Sequence, residues 1–510
     1  MDKFVEKIFI LWYHKVKITF KKGAFMKLKD YTFGFADSET EFTRRPDIFR
    51  EAFYDPKEIL DKLLNSNEFI LMGNKGVGKT AYSAKIRSLV ESNENLNAHQ
   101  VTLANFEFDK FSTLSREEYN GSQKFKLAWD LTLLIEIYKF LSSSMDYTSV
   151  ESFYNIVDFL KDNNLMHLDS INSTVRSFKN IEFMGKYFKL ISEKRKLTLV
   201  DYSLSELCEY LQRSLCDIDF NGIQNYLIID GLDDILRHEK LKIEMLSGLF
   251  RSIGQINDYL FRKNIPIKII ILAREDILSG ITDPDFNKIK RDGGIKLDWN
   301  NPNDLMEVVK LRFLLSGVKE DDLDNHWNHI FPPRINHLKS FKYVLQYTLN
   351  KPRDILQFLE QCKKEYPQND KVNYSQLKYI MDQYSTDYFY EEMKNELSGF
   401  MLDNDIDNFE IVFSDIGRTD FTYNRFRYVA EKYFSDKNED YIRKVFNILF
   451  DNGYIGQVIE VPYYDKRKKK TLNKSKAMFK HKNPTMKMNL ANRFTLHKGL
   501  YKAFNLDFEK

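Results

Sequence analysis

Cysteine is nearly absent: Cys208, Cys216 and Cys362 are the only three in 510 residues, and no two stand in C-x-x-C spacing. That excludes a disulfide framework and argues against a cysteine-based zinc site. It leaves reduced, mostly buried thiols suited to a cytoplasmic protein. Long apolar runs are missing as well. No stretch approaches the ~18 residues that span a bilayer, so no membrane is expected as a partner. Residues 8–13 are apolar, but His14 and Lys15 cut them off short of the ~7–15 residues of a secretory core, and no small-residue cleavage site follows. Net charge is near balance at +3, so whole-chain charge names no partner. Proline (11) and glycine (20) are scarce beside 41 Phe and 29 Tyr, a usage that, with abundant Lys and Asn, points to an AT-rich bacterial genome. With 43% hydrophobic and 30% charged residues, the composition is that of a soluble globular protein long enough for several domains.

Where glycine is so rare, three between positions 73 and 78 carry information. Gly73-Asn74-Lys75-Gly76-Val77-Gly78-Lys79-Thr80-Ala81 contains a complete G-x-x-x-x-G-K-[ST] phosphate-binding loop. An apolar run at 68–72 precedes it and reads as a strand; the apolar spacing of 79–92 reads as a helix. In that setting the glycines let backbone N–H groups converge on phosphate oxygens at a helix N-terminus. Lys79 reaches the β- and γ-phosphates, and the Thr80 hydroxyl goes to Mg²⁺.

Residues 226–229 and 267–272 are continuous apolar runs and read as parallel strands covered on both faces; 100–103 and 294–299 are further candidates. Between them 106–222 is too long for a loop and helical in spacing at 125–141, 153–160 and 204–215, so a helical insert is expected. The expected fold class is α/β: a P-loop NTPase parallel sheet with a helical insert, a helical lid and a C-terminal winged-helix domain. The divisions are 30–300 for the core with its insert, 301–398 for the lid and 399–510 for the winged helix. In the last, two amphipathic helices near 423–434 and 439–452 precede a hairpin with strands near 454–461 and 478–482. Residues 1–29 are expected to be a leader or a disordered arm. Because Lys21-Lys22-Gly23-Ala24-Phe25-Met26 back-translates to a ribosome-binding sequence before an ATG, Met26 is expected to be the native start.

The strand at 226–229 ends in Asp230-Gly231-Leu232-Asp233-Asp234. A carboxylate at the end of an apolar strand beside the loop strand holds Mg²⁺ with Thr80, and Asp230 has that place. Many ATPases follow it with Glu to orient water; here stands Gly231, so Asp233 or Asp234 must supply that group, unless both serve as helix caps.

This D-G-L-D-D motif resembles that of STAND-type ATPases, including NACHT domains, within the AAA+-like group. The run Ile269-Ile270-Ile271-Leu272-Ala273-Arg274 ends in arginine, as STAND sensor-1 strands do, which implies that Arg274 faces the γ-phosphate. Asn350-Lys351-Pro352-Arg353-Asp354 resembles the start of a sensor-2 helix, implying the same for Arg353. From Phe33 to Leu359, with a winged helix after it, the pattern is similar to ATPases of the origin-recognition type. AAA+ relatives place a trans-acting arginine finger after sensor 1; Arg291, in an expected loop at 285–291, takes that role. The spacing of 350–354 does not fit the guanine-reading N-K-x-D, so ATP is the expected nucleotide, with adenine near 33–54.

Residues 466–482 hold nine basic side chains and no acid, and 451–510 carry 14 basic against 5 acidic residues. Lys466, Arg467, Lys468, Lys469, Lys470, Lys474 and Lys476 are therefore candidate contacts to a nucleic-acid backbone. Three functions compete: a slowly hydrolysing, oligomerising ATP switch, plausible in phage defence with a separate effector protein; a DNA-associated loader; and a nucleotide-gated scaffold.

Overall fold

The computed structural model describes residues 26–112, 123–144, 150–166, 171–175, 204–232, 240–281, 283–398, 400–465 and 470–506. The expected leader at 1–25, Asp233, Asp234 and the 466–469 basic cluster lie outside the described residues. The chain divides into two compact units. Asp37–Asp298 forms one, and the residues up to Ala36 join those from Trp299 onward in the other.

The first unit is built on β1 (Ile70–Gly73), β2 (Leu96–Thr102), β3 (Gln224–Asp230), β4 (Ile267–Arg274) and β5 (Gly294–Lys296). All pair in parallel, in the order β2-β3-β4-β1-β5. The apolar runs of β3 and β4 are buried along nearly their whole length, as strands covered on both faces must be. The strand order corrects one expectation. Asp230 does not end the strand beside the loop strand, because β4 lies between β1 and β3. Strand β2 also begins earlier than its apolar core suggests. It is an edge strand paired only to β3, so its first half alternates with polar Asn97 and His99, which hides the pattern.

The insert is helical where described, with Phe108–Ser112, Gln123–Ser144, Glu151–Asp162 and Leu204–Ser214. Its long helix shares one apolar core with the sheet and with helix Lys240–Arg262. The Trp129 indole N–H donates to the Met245 carbonyl at 2.8 Å, deep in that core. The segment 285–291, expected as a loop, is instead within helix Pro284–Gly293. Asp283 caps it by accepting from the Asp285 N–H, and Pro284 at the first turn needs no donor there.

The second unit holds helices Pro302–Leu315, Leu323–Ile330, Pro352–Glu365 and Tyr374–Tyr384, the last continuing through a wide turn into Tyr390–Leu397. A small hairpin, β6 (Arg334–Ile335) with β7 (Leu338–Lys339), lies among them. Residues 26–36 pack on this unit. Phe33 is fully buried against Phe313, and the Tyr31 hydroxyl meets His326 Nε2 at 2.7 Å.

The C-terminal part is a winged helix: helix Phe409–Ile416, β8 (Asp420–Thr422), helices Tyr423–Tyr433 and Glu439–Asp451, then β9 (Ile455–Asp465), β10 (Lys470–Met478) and β11 (Arg493–Leu496). The sheet order is β10-β9-β11-β8, and Phe446 of the third helix packs edge-on to Phe494 of β11, 4.8 Å between centroids. The second wing strand is thus 470–478 rather than 478–482; Lys480–Lys482 is a 3₁₀ turn. The lysines misled because they sit on an edge strand, where a charged side chain costs nothing and blocks further pairing.

Candidate functional site: a phosphate loop between two strand ends

The loop conformation follows from its glycines. Gly76 and Gly78 have φ of +80° and +100°, a region L-residues avoid. Gly78 forms the N-cap of helix Lys79–Val90, so the helix begins where the phosphates would lie. Lys79 is buried, and its Nζ donates to the carbonyls of Gly73 and Asn74, each at 3.1 Å. The Thr80 hydroxyl donates to Asp230 Oδ2 at 3.1 Å. The carboxylate is held in turn by the Gly231 N–H, 2.7 Å from Oδ1. A hydroxyl and a carboxylate oxygen at this separation form a hard-oxygen pair that fits Mg²⁺.

Gly231 has φ of +84°, and a Cβ there would stand 2.6 Å from both Ala104 N and Thr102 Oγ1. The turn after β2 occupies that space, since Thr102 is in register with Asp230 and the Leu103 N–H donates to the Asp230 carbonyl. A glutamate at 231 is therefore excluded by the backbone that builds the site.

Arg274 is in register with Gly73 across the β1–β4 pair. Parallel pairing thus sets the end of β4 directly beside the start of the loop. Its guanidinium is bound at two points by Asp276, a residue the sequence reading passed over: Nε to Oδ1 at 3.0 Å and Nη2 to Oδ2 at 2.6 Å. Burial would raise the Asp276 carboxyl, yet the bonds and charge of Arg274, the Ile277 N–H and the charge of Lys79 hold it below its ordinary value. The available signal was an acid two residues after the strand-ending arginine. Asp55 was also missed. It accepts from the N–H groups of Ile59 and Leu60 and from the Tyr82 hydroxyl, tying the segment before β1 to the loop helix.

The remaining candidates stand on other elements. Arg291 is in the last turn of its helix, 75% exposed and paired with Asp292. Arg353, in the first turn of helix Pro352–Glu365, belongs to the second unit, where it pairs with Glu392 at 3.3 Å. The segment expected to flank adenine is divided: residues to Ala36 belong to the second unit, while helices Ser38–Arg44 and Pro46–Ala52 belong to the first. Lys470, Lys474 and Lys476 are exposed on β10.

A parallel sheet carrying a glycine loop, a buried lysine and a hydroxyl–carboxylate pair at its strand ends defines the class: a P-loop nucleoside-triphosphate-binding fold. Comparison with known proteins places the chain near several others. Residues 303–391 match the family model FunZ_C, a FunZ-associated C-terminal helical domain. The chain is 21% identical over 340 residues to the transposon gamma-delta 80.3 kDa protein of Escherichia coli (strain K12). That alignment takes in 64% of this chain but 46% of the relative, so the chain spans about half of that protein's length. Among solved structures, the ORC2 protein of Aeropyrum pernix in ADPNP–ADP complexes aligns at 11% identity and a TM-score of 0.38, covering 91% of this chain and 97% of that one. The ORC1 protein of the same organism, solved with DNA, aligns at 10% identity and 0.36, covering 96% and 98%. Cdc6p of Pyrobaculum aerophilum aligns at 11% and 0.31, covering 93% and 95%. The assignment of fold rests on the strand order and loop of this chain itself.

Proposed function

We propose that this chain binds ATP with Mg²⁺ and hydrolyses it slowly, acting as a regulatory switch whose assembly into a homo-oligomer responds to the nucleotide. The observation that carries the reading is the convergence of the phosphate loop, Lys79, the Thr80–Asp230 pair and Arg274 at adjoining strand ends. In this reading the loop N–H groups bind the β-phosphate, Lys79 leaves its two carbonyl partners for the β- and γ-oxygens, and Thr80 and Asp230 hold the metal. A bound magnesium ion supplies charge neutralisation at the triphosphate oxygens. Slow turnover follows from Gly231: no carboxylate can stand there, so orienting water falls to Asp233 or Asp234. Arg353 from the lid, and Arg291 of a neighbouring copy, are the further cations assigned to the transferred phosphate; a separate effector protein would receive the signal.

Equilibrium binding of ATP with and without Mg²⁺ tests the reading directly. Lys79→Ala is expected to lose ATP binding by at least tenfold, whereas Asp230→Asn keeps Mg²⁺-free binding and loses turnover. ATP binding undiminished in Lys79→Ala would sink the assignment. Chromatographic size with and without ATP then tests the switch: one size in both states leaves a nucleotide-gated scaffold.

A second reading, a DNA-associated role, is favoured by β10. Lys470, Lys474 and Lys476 share one face of that strand, the face on which Gln457 and Phe494 also lie in register. Phe494 packs on helix Glu439–Asp451, so the lysines extend the helix-bearing side of the sheet. That helix begins with Glu439 and Asp440, a poor start for groove entry, so any contact is led by the wing. If about four cations meet phosphates, affinity for duplex DNA falls roughly 150-fold between 50 and 200 mM salt. No binding at 50 mM salt rejects this reading.

A further inference from the structure

The functional reading gives Lys79 and Arg274 to the triphosphate and assigns nothing to the carboxylate beside them. Asp276 lies in the first turn of the short helix Glu275–Ser279, immediately after β4. Its two oxygens take the Nε and Nη2 edge of Arg274 at 3.0 and 2.6 Å, and Oδ1 also accepts the Ile277 N–H at 2.9 Å. The carboxylate is therefore fixed to its own backbone before it fixes the arginine. Arg274 is itself buried, with a side chain 7% exposed, and Lys79 is buried within electrostatic reach of the same carboxylate.

We propose that Asp276 is the positioning residue of this site: it grips Arg274 by one edge and holds the guanidinium at the end of β4, opposite Gly73, where it can act on the third phosphate. The proposal rests on the ATP reading above. Two arguments carry it. A two-point grip fixes the plane of a guanidinium as well as its place, which a single hydrogen bond cannot do. A second buried cation, Lys79, is also within electrostatic reach of the carboxylate, so in the nucleotide-free chain Asp276 offsets part of the charge of both. The arginine is thus in place before the nucleotide arrives, and no reorganisation is needed at the moment of binding.

An arginine so placed discriminates ATP from ADP, because only ATP carries the third phosphate. Removing a negative charge near the loop favours ATP over ADP, because ATP carries the extra charge, so a loss of positioning must show as a fall in the ratio against that gain. The experiment is the affinity of the full chain for fluorescent N-methylanthraniloyl ATP and ADP. It is measured for the unaltered protein, Asp276→Asn, Arg274→Lys, Arg274→Ala and the Arg274→Ala/Asp276→Asn pair. The ATP-to-ADP preference is expected to fall about tenfold in Asp276→Asn, the loss of one charge-assisted contact, and similarly in Arg274→Lys, whose ammonium cannot be gripped at two points. The paired variant should discriminate no worse than Arg274→Ala alone, since Asp276 acts through Arg274. Arg274→Lys keeps the buried charge balance and so carries the test if Asp276→Asn does not fold. An unchanged preference in Asp276→Asn or Arg274→Lys, or a further loss in the pair, overturns the positioning role and leaves the ATP reading standing. An unaltered protein that binds neither nucleotide overturns both.

Discussion

At the scale of single residues, Gly231 has the largest bearing on chemistry. In sequence it looks like a missing glutamate, a sign that an ATPase has lost its water-orienting group. In the folded chain it is a steric requirement, with φ of +84° and the 102–104 turn where a side chain would begin. Gly231→Ala is therefore expected to destabilise the chain by about 1–3 kcal/mol and not to raise turnover. Denaturant titration checks the first part and phosphate release the second; an alanine variant of full stability would show that the space is open. Asp276 is the converse case. Its type and spacing were visible, but acids after a strand are common, and only the side-chain geometry ties it to Arg274.

At the scale of elements, the lid helix Pro352–Glu365 is anchored by buried polar groups as well as by apolar packing. Lys351, its N-cap, makes an ion pair with Glu396 at 2.9 Å, the two side chains 11% and 2% exposed. Asp354 in its first turn is fully buried and accepts from the Leu349 N–H and the Tyr388 hydroxyl. Leaving one charge of a buried pair without its partner costs about 3–5 kcal/mol, whereas replacing both by apolar groups is often neutral. Glu396→Ala should thus lower stability by that amount, and Lys351→Met with Glu396→Leu should recover most of it. Denaturant midpoints of the three variants check this, and a Glu396→Ala protein as stable as the original removes the argument. Much at this scale was legible beforehand. The glycine loop, the buried runs of β3 and β4 and the insert helices follow from local pattern, because burial on two faces or one writes a distinct periodicity. The wing strand β10 and the early half of β2 were not legible. Both are edge strands, where the exposed side relaxes the alternation that a sequence reader needs.

At the scale of the whole molecule, acid should weaken the chain through the unit that holds the lid and winged helix. Burial, with His497, Lys482 and Lys351 nearby, holds His481 well below its ordinary value, and burial with Lys482 and Lys498 does the same to His497. Burial and His329 lower His326 to about 4. Unfolded histidines take up protons near pH 6.5, while these remain neutral in the fold. The unfolded state then binds more protons as pH falls, so stability is lost from about pH 6.5 downward. Calorimetry should show a lower thermal midpoint at pH 5.5 than at 7.5. His481→Phe, which keeps a ring against Phe479 and His497, should shrink that difference. An equal drop in both proteins would place the acid sensitivity elsewhere.

The sequence by itself determined the local things: that a loop at 73–80 turns through left-handed glycines into a helix, that apolar strands flank a helical insert, and that two amphipathic helices lie near 423–434 and 439–452. Each is dictated by dihedral preference or by the period of burial along one segment. Only the tertiary structure decided which strands are neighbours. Periodicity tells a strand that it is covered, not by what, so nothing local announced that β4 would lie between β1 and β3. That placement sets Arg274 opposite Gly73 and brings Asp276 within electrostatic reach of Lys79, while the pairing of β2 with β3 closes the turn after β2 over Gly231.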